Sequence, residues 1–199
     1  MSLSTTLPTF QSQLGEIAAA ERRDGWLSAC ERNGRYWVPT QEFQAAFAEF
    51  LRRLSSGPIL EVCAGRGELA EAIRAAGVQV VATDANPPAG SRVIRASAEE
   101  ALSRHRPAVV LGCFVPFDSG VDELVMTFPS VHHYVVLGAR IGGLFGSAAL
   151  WNDPAWTSEP LRHVSRWMLT RHDVWLGPSR ETVLQHGEAW HFRRNTESH

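Results

Sequence analysis

The chain has 199 residues, of which 44% are hydrophobic and 20% charged, with a formal net charge of −2. This composition belongs to a folded globular protein long enough to bury a sizeable core, and it excludes a disordered chain. No block of arginines builds the basic stripe that a nucleic-acid backbone demands, so no nucleic-acid partner is expected and a small-molecule partner is.

In chain order, residues 10–54 read as helical. Their clearest part is the stripe Phe43, Phe47, Phe50, Leu51 and Leu54 at helical spacing, with Thr40 after Pro39 as N-cap and Gly57-Pro58 as the stop. From Ile59 the pattern changes to short apolar runs: Ile59 to Val62, Val78 to Ala82, Val93-Ile94, Ala108 to Leu111 and Val131 to Leu137. Helical segments at Gly67 to Ala76, Ala98 to Arg104 and Val121 to Phe128 separate them. Continuous apolar strands alternating with helices predict a parallel sheet covered on both faces. Beyond residue 140 the pattern is less regular. Thr157 to Pro160 reads as a helix start, and strand-like pieces near Asp173 to Leu176 and Glu188 to Phe192 read as an antiparallel hairpin.

The most informative stretch is Glu61-Val62-Cys63-Ala64-Gly65-Arg66-Gly67-Glu68-Leu69, a strand running through a glycine turn straight into a helix. Glycine there permits a tight turn and lets a ligand approach the backbone. Glu68 and Glu71 suit the positive end of that helix and Arg74 the negative end, with Gly77 as the stop. The next strand ends in Thr83-Asp84, an acid placed to accept hydrogen bonds from ribose hydroxyls. Gly65-x-Gly67-x-x-Ala70 alone also fits a dinucleotide fingerprint. Glu61 inside the apolar strand favours a different cofactor: a carboxylate there needs a polar partner, such as the ammonium of a methionine moiety. A dehydrogenase would also need a further substrate domain.

Glu61 to Gly67 resembles the E/D-x-G-x-G-x-G signature of class I S-adenosylmethionine-dependent methyltransferases, and Asp84 resembles their ribose-binding acid. The likeness spans roughly residues 57–140. It implies an α/β Rossmann-like fold: a seven-stranded, mostly parallel sheet with helices on both faces and an antiparallel last strand. The whole chain, 1–199, would be one S-adenosylmethionine-binding domain with residues 1–56 as a helical N-terminal cap. By position, Glu61, Cys63, Ala64, Gly65 and Gly67 would surround the methionine part, Asp84 and Ala85 the ribose, Ser97-Ala98 the adenine, and Phe114 would line the pocket. The sequence departs from the pattern in three places. Cys63 replaces the first glycine, Ser97 stands where an acid often contacts the adenine, and Ala85 to Arg92 is too short for the usual crossover helix.

Ligands of open parallel sheets bind beyond the carboxyl ends of the strands. Candidate acceptor-binding residues at that end are Asp118 (alternatively an N-cap), Arg140, and Trp151 after the glycine-rich stretch Gly142 to Gly146. Tyr36 and Trp37 are further candidates, with core packing as the alternative. His132 and His133 fall at the opposite end and read as structural. His172-Asp173 reads as a possible oriented base pair. His186-x-Glu188-x-x-His191 lacks the HExxH spacing, and on a strand its ends face opposite sides, so no metal site is expected. All 19 lysine-plus-arginine positions are arginine, which excludes Schiff-base and pyridoxal phosphate chemistry and a P-loop amine. Cys30, Cys63 and Cys113, odd in number and without a CxxC, argue against a disulfide framework. Met1 to Phe10 does not read as a signal peptide and no run approaches ~18 apolar residues, so a cytoplasmic protein without a membrane partner is expected.

The expected reaction is methyl transfer to a small-molecule acceptor. Three readings remain open beside it: another S-adenosylmethionine reaction such as aminocarboxypropyl transfer or cyclisation, a nicotinamide-dependent oxidoreductase, and a binding module without turnover.

Overall fold

A computed structural model of the chain describes residues 7–54, 57–140, 145–175 and 183–195. The N-terminal region holds α1 (Phe10–Glu21), α2 (Trp26–Arg32), the short strand β1 (Trp37–Val38) and α3 (Gln41–Leu54). Thr40 caps α3 as its sequence predicts, accepting the Phe43 amide at 3.2 Å. Phe43, Phe47, Phe50 and Leu51 turn one stripe of α3 into the core. Residues 10–54 are therefore not uniformly helical: β1 interrupts them and changes their role, as described below.

Next come β2 (Ile59–Val62), α4 (Glu68–Ala75), β3 (Val80–Asp84), β4 (Ile94–Arg95), α5 (Ala98–His105), β5 (Val109–Cys113), α6 (Val121–Thr127) and β6 (His133–Ala139). Each falls within a few residues of its apolar run. No helix occupies the link between β3 and β4, and β4 is only two residues long, as the short Pro-rich link predicts. The chain ends with α7 (Ala148–Asn152), β7 (Trp156–Pro160), α8 (Arg162–Ser165), β8 (Leu169–Thr170), β9 (Val174–Trp175), β10 (Val183–Leu184) and β11 (Gly187–Arg194).

Seven strands form the main sheet in the order β4-β3-β2-β5-β6-β11-β7. The first five are mutually parallel, and β11 runs antiparallel to both neighbours. Side chains alternate between two cores. Ile59, Val80, Leu111, Val135 and Ala189 meet α3, α4 and α8 on one face. Leu60, Val110, Val136 and Phe192 meet α5, α6 and α7 on the other. The strand order reverses between β2 and β5, and the crevice beyond their carboxyl ends is where a doubly wound sheet binds its ligand.

Two C-terminal expectations are corrected. Thr157 to Pro160 forms strand β7 rather than a helix start, because its backbone pairs with Trp190 to Arg193 of β11 along an otherwise open edge. The partner of Glu188 to Phe192 is β6 on one side and β7 on the other, not the segment after Asp173; Val174-Trp175 pair instead with Val183-Leu184. Pairing over seven positions of β6 outweighs a local hairpin. Leu176 lies outside the described residues.

A buried polar link fixes the segment after β6. Tyr134, fully buried, donates its hydroxyl to Asp122 Oδ1 at 2.7 Å, and Asp122 Oδ2 accepts the Ser147 amide at 2.8 Å. One carboxylate thus joins α6, β6 and the entry to α7. Burial, together with Asp122, pushes the Tyr134 phenol well above its ordinary value, so it remains a donor. Tyr134→Phe strips a donor from a buried carboxylate and is expected to destabilise the fold by about 1–3 kcal/mol in urea titration. A loss below about 0.5 kcal/mol, the ordinary surface range, would show that this link does not anchor the segment.

Candidate cofactor and acceptor site

The turn between β2 and α4 is built on left-handed backbone. Gly65 and Gly67 have φ of 54° and 79°, and Cys63 at φ 53° adopts the same region despite its side chain. A Cβ on Gly67 would lie 2.7 Å from Val93 Cγ2, so this position requires glycine on steric as well as conformational grounds. Cys63 bears the strain that the missing glycine would have avoided, typically about 1–3 kcal/mol for such a conformation. Phe114, beyond the tip of the neighbouring strand β5, has φ 52° and is the second strained residue of the crevice. Burial first, then the charges of Asp84, Asp122 and Glu61, raise the Cys63 thiol to about 11. Burial also raises Cys113. Both shifts favour the thiol over the thiolate.

Asp84 closes the crevice from the side of β3. Its Oδ2 accepts the Gly65 amide at 2.8 Å and its Oδ1 the Asn86 amide at 2.8 Å. A second lone pair on each oxygen remains for a diol. Glu61, on β2, is 1% exposed, and its Oε2 is buried without a hydrogen-bond partner among the described residues. Burial pushes its carboxyl from 4.5 up to about 8, and the like charge of Asp84 adds to this against the Ala70 amide and Arg74. An unpartnered buried acid one strand from Asp84 is a group waiting for a cation or donor. The residues present therefore fit the amino-acid and ribose parts of S-adenosylmethionine.

Ser97 is committed elsewhere. Its hydroxyl accepts the Glu100 amide and its own amide donates to Glu100 Oε2 at 2.8 Å, a capping box that starts α5. Ala85 sits on the exposed side of the crevice, its carbonyl accepting from Arg95 at 3.2 Å.

Next to Phe114 lies a cavity of about 260 Å³. Tyr36, Phe114, Pro116, Phe145, Arg171 and His172 are among its walls. Its assembly depends on β1 pairing antiparallel with β8, which sets Trp37 opposite Thr170. The flanking residues continue the ribbon: the Arg171 amide donates to the Tyr36 carbonyl at 3.0 Å, and the Arg171 guanidinium lies 4.4 Å from the Tyr36 ring centre. Tyr36 and Trp37, neighbours in sequence, face opposite ways. Tyr36 is 52% exposed over the cavity, whereas Trp37 is buried edge-on against Phe43.

Three further candidates make other contacts. Trp151 packs among Phe145, Trp190 and Phe192 and donates its indole N–H to the Phe145 carbonyl at 2.7 Å; it anchors the segment that supplies Phe145 and is absent from the cavity wall. Arg140 stands at the expected end of β6 but turns to Glu188, 3.6 Å away. Asp118 is exposed, and Gly120 rather than Asp118 caps α6. Gly142 to Leu144 lie outside the described residues. His172 and Asp173 do not pair. Asp173 accepts from Thr170 and from the His186 amide, while His172 Nε2 accepts from Arg171 Nε at 3.0 Å. At the far end of the sheet, His133 Nδ1 lies 2.9 Å from His191 Nε2, and His191 Nδ1 lies 3.0 Å from Glu159. Arg171, Pro116 and Phe145 carry no sequence signal of their own, because two-residue strands and a half-buried tryptophan bring them together.

This sheet order, with its antiparallel strand inserted next to the edge and its glycine turn after the first parallel strand, defines a class: the chain has the fold of class I S-adenosylmethionine-dependent methyltransferases. Among solved structures it is similar to the Burkholderia thailandensis 1,6-didemethyltoxoflavin-N1-methyltransferase, solved with 1,6-didemethyltoxoflavin and S-adenosylhomocysteine bound. That likeness has a TM-score of 0.51 at 16% identity and covers 98% of this chain and 94% of that one. It is also similar to the 23S rRNA methyltransferase ErmE (TM-score 0.48, 15% identity, 81% of this chain and 70% of that one). A third is the plantazolicin methyltransferase in complex with S-adenosylhomocysteine (TM-score 0.43, 10% identity, 94% and 99%). No protein-family model and no curated protein matches the sequence.

The Glu61 carboxyl makes a pH-dependent contribution of defined sign. The folded chain holds this proton more tightly than the unfolded chain does, so stability falls as pH rises from 4.5 to about 8. Glu61→Gln removes that fall. In urea titrations its stability relative to the native chain should rise across this window, by at most roughly 5 kcal/mol. Parallel pH profiles for the two proteins would contradict the burial of an unpartnered acid.

Proposed function

We propose that the chain is a cytoplasmic S-adenosylmethionine-dependent methyltransferase, folded as a single domain with residues 1–56 as its cap, that acts on a small-molecule acceptor rather than on nucleic acid. The observation that carries this reading is Glu61: a buried carboxyl oxygen without a partner, at the head of a glycine turn whose Gly65 amide is bonded to Asp84. On this reading Glu61 receives the ammonium of the methionine part, directly or through a water. The backbone of Cys63, Ala64, Gly65 and Gly67 lies against that part. Asp84 and Ala85 hold the ribose, Ala98 beside Ser97 meets the adenine, and Phe114 separates the cofactor from the acceptor. Free rather than paired cysteines support a reducing compartment. No helix among the described residues is long and apolar enough to cross a membrane.

S-adenosylmethionine supplies an already activated methyl group, so the work left to the protein is alignment and exclusion of water. Tyr36, Phe114 and Phe145 wall the acceptor side with apolar surface. No side chain is required to act as a base.

Titration calorimetry tests the reading. The chain should bind S-adenosylhomocysteine and not NAD, and Asp84→Ala should weaken S-adenosylhomocysteine by about tenfold or more, the loss of hydrogen bonds to a charged acceptor. Binding of NAD alone would overturn it in favour of an oxidoreductase. In turnover, release of S-adenosylhomocysteine identifies methyl transfer, and release of methylthioadenosine identifies the rival transfers.

A further inference from the structure

The walls of the 260 Å³ cavity carry an uneven chemistry. Its apolar surface combines three aromatic rings with aliphatic side chains such as Val115, Val136 and Leu137: Tyr36 and Phe114 have ring centres 5.9 Å apart with planes inclined by 41°, and Phe145 is the third ring. Its polar side chains besides the Tyr36 hydroxyl are Arg171 and His172, and no carboxylate is among the lining residues. The neighbouring acid, Asp173, is buried and turned away, its oxygens taken by Thr170 and by the His186 amide. Among the described residues no carboxylate forms an ion pair with Arg171.

The hydrogen bond between Arg171 and His172 decides what the histidine can offer. A guanidinium N–H only donates, so His172 Nε2 must accept with its lone pair. The proton of the neutral ring then sits on Nδ1, and the ring has no lone pair left with which to take a proton from an acceptor. Burial, then the adjacent Arg171 charge, lower the His172 pKa against the weaker opposing charge of Glu31, which favours this neutral tautomer. His172 is thereby a donor and not a base. With the guanidinium always charged, these two side chains present donors and positive charge and nothing that accepts.

We propose that this cavity takes a flat aromatic anion of one or two fused rings. Its rings lie against the touching Tyr36–Phe114 pair on one side and Phe145 on another, and an anionic oxygen such as a carboxylate or a phenolate meets the Arg171 guanidinium. The volume sets the ring count, the lower end for ligand pockets. The aromatic walls set the planarity, and the guanidinium, stacked on Tyr36 and without an ion pair among the described residues, sets the charge. A cationic acceptor is excluded by the same guanidinium. This inference rests on the methyltransferase reading only for the role of the molecule as acceptor; the binding preference itself does not.

The test is calorimetry on the full chain at neutral pH, with and without saturating S-adenosylhomocysteine, using 2-naphthoate, the neutral 2-naphthalenemethanol and the cationic 2-naphthylmethylamine as probes. The naphthoate should bind about tenfold or more tightly than either twin, as a charge-assisted pair dictates. Arg171→Gln should bring naphthoate down to the level of the alcohol, and Arg171→Lys, which keeps the charge but loses the planar fork, should fall between. The comparison of the three probes on the native chain needs no variant to fold. Equal binding of all three, preference for the amine, or no binding of the naphthoate overturns the proposal. S-adenosylhomocysteine is titrated separately, so its failure to bind counts against the methyltransferase reading and leaves the probe ranking to judge the cavity.

Discussion

The bond from the Gly65 amide to Asp84 Oδ2 joins the tips of β2 and β3, and the ligand-binding end of the molecule is organised around it. It requires the chain to leave β2 through left-handed backbone, which explains the glycines at 65 and 67 and makes Cys63 a strained residue. Beside it Val93 packs over Gly67, which brings the short β3–β4 link into the same wall. It also fixes one acid at the rim while leaving Glu61 below it, buried and unpartnered. A fold that kept only the packing would have an apolar residue at 61. Retaining a carboxyl there destabilises the empty protein, and on the proposed reading the cofactor's ammonium offsets that cost.

The acceptor side is made differently. The cofactor side comes from consecutive strand, turn and helix, whereas the cavity beside it draws on three remote parts of the chain. The β1–β8 ribbon brings Tyr36 to Arg171. The Tyr134–Asp122–Ser147 link and the Trp151 anchor together hold Phe145 in place. Gly138 completes the arrangement, since a Cβ there would lie 2.8 Å from the Phe145 ring. Such a site is tuned by distant packing, and the chemistry of its walls can change without disturbing the turn that holds the cofactor.

This difference explains what was legible in the sequence. The parallel strands, the glycine turn, Glu61 and Asp84 are local patterns with a period and a steric reason, and each lies where the sequence placed it, to within a few residues. The missing crossover helix was legible too, because eight residues rich in proline leave no room for one. Arg171 and Phe145 were not legible, since two-residue strands have no period and pairing across more than a hundred positions leaves no trace in one sequence. Thr157 to Pro160 misled for a related reason. An edge strand is defined by its partner, and its exposed residues carry polar side chains that read equally well as a helix start. Trp151 and Arg140 were at the right end of the sheet, but packing against Trp190 and Phe192 holds the one and Glu188 the other away from the cavity.

The decisive point is where the cofactor's amino-acid part lies. A crystal structure of the chain with S-adenosylhomocysteine measures this. The ammonium is expected within hydrogen-bond reach of Glu61 Oε2, directly or through one water, and the ribose hydroxyls on Asp84. A ligand lodged instead in the wide trough beside α4, against Glu71 and Arg74, with Glu61 still unpartnered, would contradict it.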